Sequence, residues 1–379
     1  AEWVGRAGFA EWTGRRRRWR CPLSAHYQAV GWNRHKKTYD LVVVGLVVTC
    51  LALFVAVGMW RVPHANPVTL LLRGLGVTGF VLLHLVLSIG PLARLSPVFA
   101  PLLYNRRHLG VTMFAVAAAH GLFALGYYHA LGDAEPITAM LTANGRLDSV
   151  SQFPFQPLGF VALVILALMA ATSHDLWLKV LGPRVWKSLH MLVYLAYALV
   201  VMHVALGVLQ SETSPTLSWA LGGGVCWVLG LHAVAAMRTV ADDGHMRRAA
   251  GSVADEAALR TEGFVPLFKG AREVPTDRAR VAALPAGQRV AVFRHGDRLR
   301  AVSNLCRHQG GPLGEGRVMD GCITCPWHGW QYRVEDGCSP PPFDEKVETY
   351  RLRVVSDAVW IHPTSAPLGS TDEGEEATL

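Results

Sequence analysis

Ser303-Asn304-Leu305-Cys306-Arg307-His308, then Gly310-Gly311-Pro312-Leu313, then Cys325-Pro326-Trp327-His328-Gly329-Trp330: the reading of this chain turns on these residues. Two Cys–His pairs, Cys306 with His308 and Cys325 with His328, flank a glycine-rich stretch. That donor set suits a [2Fe–2S] cluster, with two thiolates on one iron and two neutral imidazoles on the other. Imidazole carries no negative charge, so it favours the reduced cluster more than a thiolate does. The potential then falls in a range of about −150 to +300 mV, against about −400 mV for all-cysteine plant-type clusters. A Cys2His2 set also suits zinc, but zinc fingers usually pair Cys with Cys and His with His along the chain.

The residues around the four ligands resemble Rieske ferredoxin domains, over about 100 residues from near Gly263 to Pro363. The resemblance implies a small antiparallel β fold and the ligand set Cys306, His308, Cys325 and His328. Rieske proteins of respiratory cytochrome bc complexes carry two further cysteines where this chain has Gly311 and Trp327, and a serine where it has Trp330. Fewer hydrogen bonds to the sulfurs lower the potential. The departure therefore points to the ferredoxin and oxygenase branch. Tyr332 is a candidate donor of one such bond, and Cys322 and Cys338 are expected as plain buried thiols.

Composition sets the rest of the chain apart. Of 379 residues, 51% are hydrophobic and 17% charged, which suits a membrane protein with a soluble appendage. A formal charge of +8 would suggest nucleic acid in a soluble protein. Here the basic residues cluster at the edges of apolar runs, so orientation and anionic lipid explain them and no nucleic acid is expected. Seven cysteines, two of them assigned as ligands, do not form a secreted disulfide framework. No signal peptide is expected, because no apolar run follows Arg15-Arg16-Arg17-Arg18 for about twenty residues.

Apolar stretches of spanning length recur at about 40–60, 68–90, 109–131, 156–175, 187–210 and 217–237. The expected fold is thus multi-domain: a six-helix, all-α transmembrane bundle followed by an all-β domain. Fifteen Lys and Arg lie on the side of the N-terminal segment, against Arg61 and Arg146 opposite. This places both termini and the C-terminal domain in the cytoplasm of a bacterial inner membrane protein. Expected units are a basic segment 1–38, the bundle 39–237, a charged linker 238–262 with helix around Asp255–Arg260, the β domain 263–364 and an acidic disordered tail 365–379. Residues 289–294 and 358–361 read as strands.

A histidine inside a transmembrane helix is a functional candidate by default, and two axial imidazoles suit a low-spin electron-transfer haem. His120 lies thirteen residues past Arg107, roughly 20 Å from the inner edge, and His203 sixteen past Lys187, roughly 24 Å in. Their depths match, which makes them a haem pair. His190 lies only about 5 Å in. It is a candidate for a second haem, with His108, His174 or His232 shallow enough to be its partner. His84 reads as a helix-packing residue. On one straight helix, the thirteen residues between His190 and His203 leave them roughly 140° apart, so a bulge or offset haems would be needed.

Arg106-Arg107-His108-Leu109-Gly110 running to His120, and Thr172-Ser173, Leu181-Gly182, Trp186, Leu189-His190, Val193-Tyr194 and His203, resemble the ferric reductase-like transmembrane family over about residues 40–237. The nearest pattern is that of haem-binding membrane subunits serving periplasmic methionine sulfoxide reductases; NADPH oxidases are more distant. The resemblance implies b-type haem, one or two, with His120, His190 and His203 as ligand candidates. NADPH oxidases and ferric reductases feed this unit from a flavin and nicotinamide domain, but no Gly-rich dinucleotide loop is visible here. A Rieske domain takes that place. The expected function is one-electron transfer from a cytoplasmic reductase or ferredoxin, through the cluster and haem, to an extracytoplasmic acceptor. A Rieske oxygenase component, a relay subunit of a respiratory or photosynthetic complex, and reverse flow with quinone as donor stay open as alternatives.

Overall fold

The computed structural model describes residues 34–211, 215–248, 255–327, 329–355, 357–370 and 375–376. The apolar runs form helices α1 (Arg34–Arg61), α2 (Pro67–Leu95), α3 (Arg106–His129), α4 (Pro136–Thr142), α5 (Phe155–Ala171), α6 (Asp175–Met191), α7 (Val193–Leu206), α8 (Val208–Ser211) and α9 (Pro215–Arg248). Local chemistry sets their ends. The Asn66 side chain accepts from the Val68 N–H at 2.9 Å, and Pro67 occupies the first turn of α2, where its missing N–H costs nothing. Among the described residues, five stretches are long and apolar enough to cross a membrane: 36–61, 67–95, 98–129, 184–210 and 215–241. The fourth expected span is the apolar α5, only 17 residues long.

α2 lies at the centre, packed by α1, α3 and α9, with Leu83 and Leu87 buried. α5 packs between α3 and α7. Away from this core the bundle exposes apolar side chains such as Leu41, Leu46, Leu53 and Trp60 of α1, a surface suited to lipid rather than water. The segment carrying His190 and His203 is not one straight helix. It breaks at Leu192 between α6 and α7, and α6 itself kinks at Gly182. Leu192 keeps αR dihedrals (φ −61°, ψ −11°) and its N–H bonds the Leu189 carbonyl, so the departure from the ideal angle between His190 and His203 is confined to that one tightened turn; Gly182 lies outside the interval.

α9 runs eleven residues beyond the span end expected at 237, and α10 (Asp255–Thr261) follows where helix was expected. The strands are β1 (Val265–Phe268), β2 (Ala279–Ala283), β3 (Arg289–His295), β4 (Arg298–Ser303), β5 (Arg317–Met319), β6 (Cys322–Thr324), β7 (Gln331–Arg333), β8 (Thr349–Val355), β9 (Ala358–Ser365) and β10 (Glu375–Glu376). The large antiparallel sheet has the order β1-β9-β8-β4-β3-β2, and a small sheet β5-β6-β7 stands beside it. β3 is buried on both faces. Val290 and Val292 point into one core with Leu299 and Ile361, while Ala291 and Phe293 point into a second with Ile323 and Tyr332. Period-two alternation between two cores makes this strand a continuous apolar run.

Two expectations need correction. Within the tail expected to be disordered, β10 pairs with β4, setting Glu376 opposite Arg298; opposite charges facing each other across strands favour such pairing. Cys322 is disulfide-bonded rather than a plain thiol, and Cys338 is free, so those two are not joined.

Candidate metal centres

Two loops carry the Cys–His pairs. One leaves β4 and the other joins β6 to β7, and both close in the same way. The Cys306 N–H donates to the Gly311 carbonyl and the Gly310 N–H returns to the Cys306 carbonyl, at 2.8 and 2.7 Å. The Cys325 N–H donates to the Trp330 carbonyl and the Gly329 N–H returns to the Cys325 carbonyl, both at 2.8 Å. Gly310 and Gly329 each have φ of 70°, left-handed backbone that favours glycine. A Cys followed four residues later by Gly is thus the unit of each loop. Cys306 and Cys325 are both buried, and their side chains lie within hydrogen-bonding range of each other.

Gly311 has no room for a side chain, since a Cβ there would lie 2.8 Å from Cys325 Sγ and 3.1 Å from the Trp327 ring. The fully buried Tyr332 hydroxyl oxygen accepts from the N–H groups of Arg307 (3.0 Å) and His308 (3.2 Å) and lies 3.3 Å from Cys306 Sγ. With both backbone donors aimed at its oxygen, its own proton is left for the sulfur. Burial alone would push the Cys306 thiol up. Hydrogen bonds from Cys325, Tyr332 and the backbone at Gln309 and His308 outweigh it and bring it down to about 7. Burial, then the neighbouring Cys306, pushes the Tyr332 phenol up. The His308 ring lies flat on Trp330, centroids 4.0 Å apart, and His328 falls outside the described residues. Among the described residues, no three His, Cys, Asp or Glu side chains converge as metal ligands.

In the bundle, three histidines share one arrangement. His120 Nδ1 bonds the Leu72 carbonyl at 3.0 Å, His203 Nδ1 the Phe155 carbonyl at 2.9 Å, and His190 Nδ1 the Trp186 carbonyl at 3.0 Å. A carbonyl only accepts, so Nδ1 holds the proton and Nε2 keeps its lone pair, as a metal-bound imidazole requires. His190 Nε2 is buried and has no hydrogen-bond partner. Glycines make the space: a Cβ at Gly76 would stand 3.1 Å from His120 Cε1, and one at Gly159 only 2.7 Å from His203 Nδ1. His120 and His203 are close enough to interact electrostatically.

The other histidines are placed differently. His84 has both nitrogens engaged, by the Phe80 carbonyl (2.9 Å) and the Tyr197 hydroxyl (3.1 Å), which suits helix packing. His232 is likewise engaged by Val228 and Tyr194. His108 pairs with Asp40 through Nδ1 at 2.9 Å. His174 is exposed and accepts from the Leu176 N–H at the start of α6.

The β domain sits against the basic end of the bundle. Trp327 meets Trp186 at 5.9 Å between ring centroids, Arg107 donates to Gln309 at 2.9 Å, and Arg94 pairs with Glu315 at 3.1 Å. Sequence reasoning missed Trp186 as a site residue. The signal was present in its spacing, four residues before His190 and so on the same helix face. It also missed Gly76 and Gly159, whose importance depends on what faces them.

Residues 75–201 match the family described as the ferric reductase like transmembrane component, and residues 267–351 match the Rieske [2Fe-2S] domain. The chain is 32% identical over 193 residues to the protein-methionine-sulfoxide reductase heme-binding subunit MsrQ of Caulobacter vibrioides, covering 50% of this chain and 86% of that one. The chain belongs to the ferric reductase-like transmembrane family and carries a Rieske domain. That domain is 41% identical over 83 residues to the anthranilate 1,2-dioxygenase ferredoxin subunit of Burkholderia cepacia, covering 21% of this chain and 77% of that one. Among solved structures, the ferredoxin of carbazole 1,9a-dioxygenase from Nocardioides aromaticivorans matches 27% of this chain and 98% of its own at 25% identity, with a TM-score of 0.25. This ferric reductase-like protein is therefore an integral membrane protein of electron transfer with a [2Fe–2S] domain. Its two buried, adjacent sulfurs fit that cluster.

Proposed function

We propose that this protein is a transmembrane one-electron wire. Cys306, His308, Cys325 and His328 hold the [2Fe–2S] cluster, and Tyr332 donates a hydrogen bond to the Cys306 sulfur. His120 and His203 hold a b-type haem, and His190 a second one nearer the cytoplasm. Bis-imidazole haem exchanges one electron with little change in its ligands. A cytoplasmic reductase or ferredoxin supplies electrons, and an extracytoplasmic acceptor takes them. The relatives named as heme-binding subunits support the haem. The Rieske domain lies against Arg94 and Arg107, on the end that the Lys and Arg distribution assigns to the cytoplasm.

One observation carries the reading. His120 and His203 both commit Nδ1 to a backbone carbonyl of a neighbouring segment, Leu72 and Phe155, rather than of their own helix. A histidine serving only helix packing would use both nitrogens, as His84 does. The test is haem-to-iron stoichiometry with EPR on wild type and on His120→Ala, His190→Ala and His203→Ala. His120→Ala and His203→Ala are expected to lose the same haem, and His190→Ala a different one. Wild-type protein without Soret absorption would sink the proposal. A haem potential well below that of the cluster would reverse the direction.

A further inference from the structure

We propose that the contact between the Rieske loops and the basic end of the bundle is the electron-transfer junction, with Trp186 as its positioning residue. The inference rests on the reading that His190 holds haem.

Trp186 is buried and engaged on every side. Its ring stacks on His190 at 3.8 Å between centroids and 26° between planes. Trp327 approaches at 5.9 Å, and the Arg107 guanidinium lies 5.0 Å from the ring centre. Its indole N–H donates to the Thr172 carbonyl at 2.8 Å, tying α6 to the end of α5. Trp327 in turn lies beside the space at Gly311, which also borders Cys325 Sγ. A continuous run of packed groups therefore leads from the Cys325 sulfur through Trp327 and Trp186 to His190.

The polar contacts around this run come from the same region. Gln309, beside His308 and almost completely buried, receives the Arg107 bond, and Glu315 at the end of the first loop pairs with Arg94. α9 also packs against β1 and β2, but the aromatic and polar contacts gather at the cluster loops and beside His190, the one histidine of the bundle among the described residues whose Nε2 is buried without a partner. The step served is a single-electron transfer in which no bond forms or breaks. With both groups bound, this run of side chains would carry one electron from the cluster, which is oxidised, to a haem held by His190, which is reduced. Two tilted, packed aromatic rings fill the gap and hold its width constant.

Two measurements on the full-length protein in membranes test this. In the first, p-benzoylphenylalanine replaces Trp327 and the sample is irradiated. Cross-links to the peptide containing Trp186 are expected, while cross-links confined to the Rieske domain would overturn the docking. This readout needs no haem, so it stands or falls apart from the proposed function. In the second, the cluster is photoreduced and the haem Soret change followed. Trp186→Leu should slow the transfer about tenfold or more, the order expected when a positioned contact is lost. Trp186→Phe, which keeps a ring in place, should restore most of the rate. Equal rates in Trp186→Leu and wild type would overturn the role of Trp186. Should Trp186→Leu lose haem, Trp327→Leu, which leaves the bundle intact, decides instead: a slowed transfer supports the junction and an unchanged one overturns it.

Discussion

The hydroxyl of Tyr332 has one proton and three polar neighbours. Two backbone N–H groups take its lone pairs, so its proton faces the Cys306 sulfur. A hydrogen bond to a cluster-bound sulfur stabilises the reduced, more negative state. Tyr332→Phe is therefore expected to lower the cluster potential by roughly 40 mV, taking about 1 kcal/mol for the bond and about 59 mV per tenfold for one electron. It should also destabilise the domain by about 1–3 kcal/mol, because the N–H groups of Arg307 and His308 lose their acceptor. An EPR-monitored redox titration and a thermal melt read the two effects separately. An unchanged potential would mean that the bond does not reach the cluster. At this scale the sequence was informative: the motif alone makes Cys306, His308, Cys325 and His328 candidate cluster ligands and Tyr332 a candidate donor, and the structure brings Cys306, Cys325 and Tyr332 together. The direction of the tyrosine proton was not legible, because it depends on two N–H groups in a loop some twenty-five residues away.

How closely the helices approach decides whether the proposed haem histidines fit. His203 on α7 fits against α5 only because Gly159 lacks a Cβ, and His120 on α3 fits against α2 in the same way at Gly76. The two notches differ in tightness, 2.7 Å against 3.1 Å. Gly159→Ala is thus expected to remove most of the haem proposed for His120 and His203, whereas Gly76→Ala should leave most of it bound with a shifted spectrum. Quantitative haem extraction and Soret spectra check this; equal haem content in both variants and wild type would show that the notches are incidental. The spans and the depth match of His120 and His203 could be read from hydropathy and residue counting, which follow from a fixed rise per residue. The break at Leu192 could not. Nothing local marks it, since Leu192 and its neighbours are ordinary helix formers, and the interruption shows only in the folded chain.

Across the whole molecule, a soluble domain meets a membrane bundle through contacts that include one aromatic pair and two polar pairs at the cluster loops, and α9 also packs against β1 and β2. Arg94 is largely exposed while Glu315 is mostly covered, so this pair is open to salt screening. Raising ionic strength from about 0.1 to about 1 M shortens the Debye length from about 10 to about 3 Å. Transfer from cluster to haem should then slow by a few-fold, while the Trp186–Trp327 contact persists. Flash-reduction kinetics across a salt series measure this, and a rate that rises with salt would contradict docking through these charges.

By itself, the sequence determined which chemistry the chain carries and where along it: the Cys–His pairs, the apolar spans and the side holding the basic residues. These are local or periodic properties, set by side-chain type and by the regular geometry of helix and strand. Only the tertiary structure decided which imidazoles keep Nε2 available, which glycines admit them, and that Trp186 lies between the Rieske loops and His190. Those depend on contacts between residues far apart in the chain, and no spacing in the sequence records such contacts.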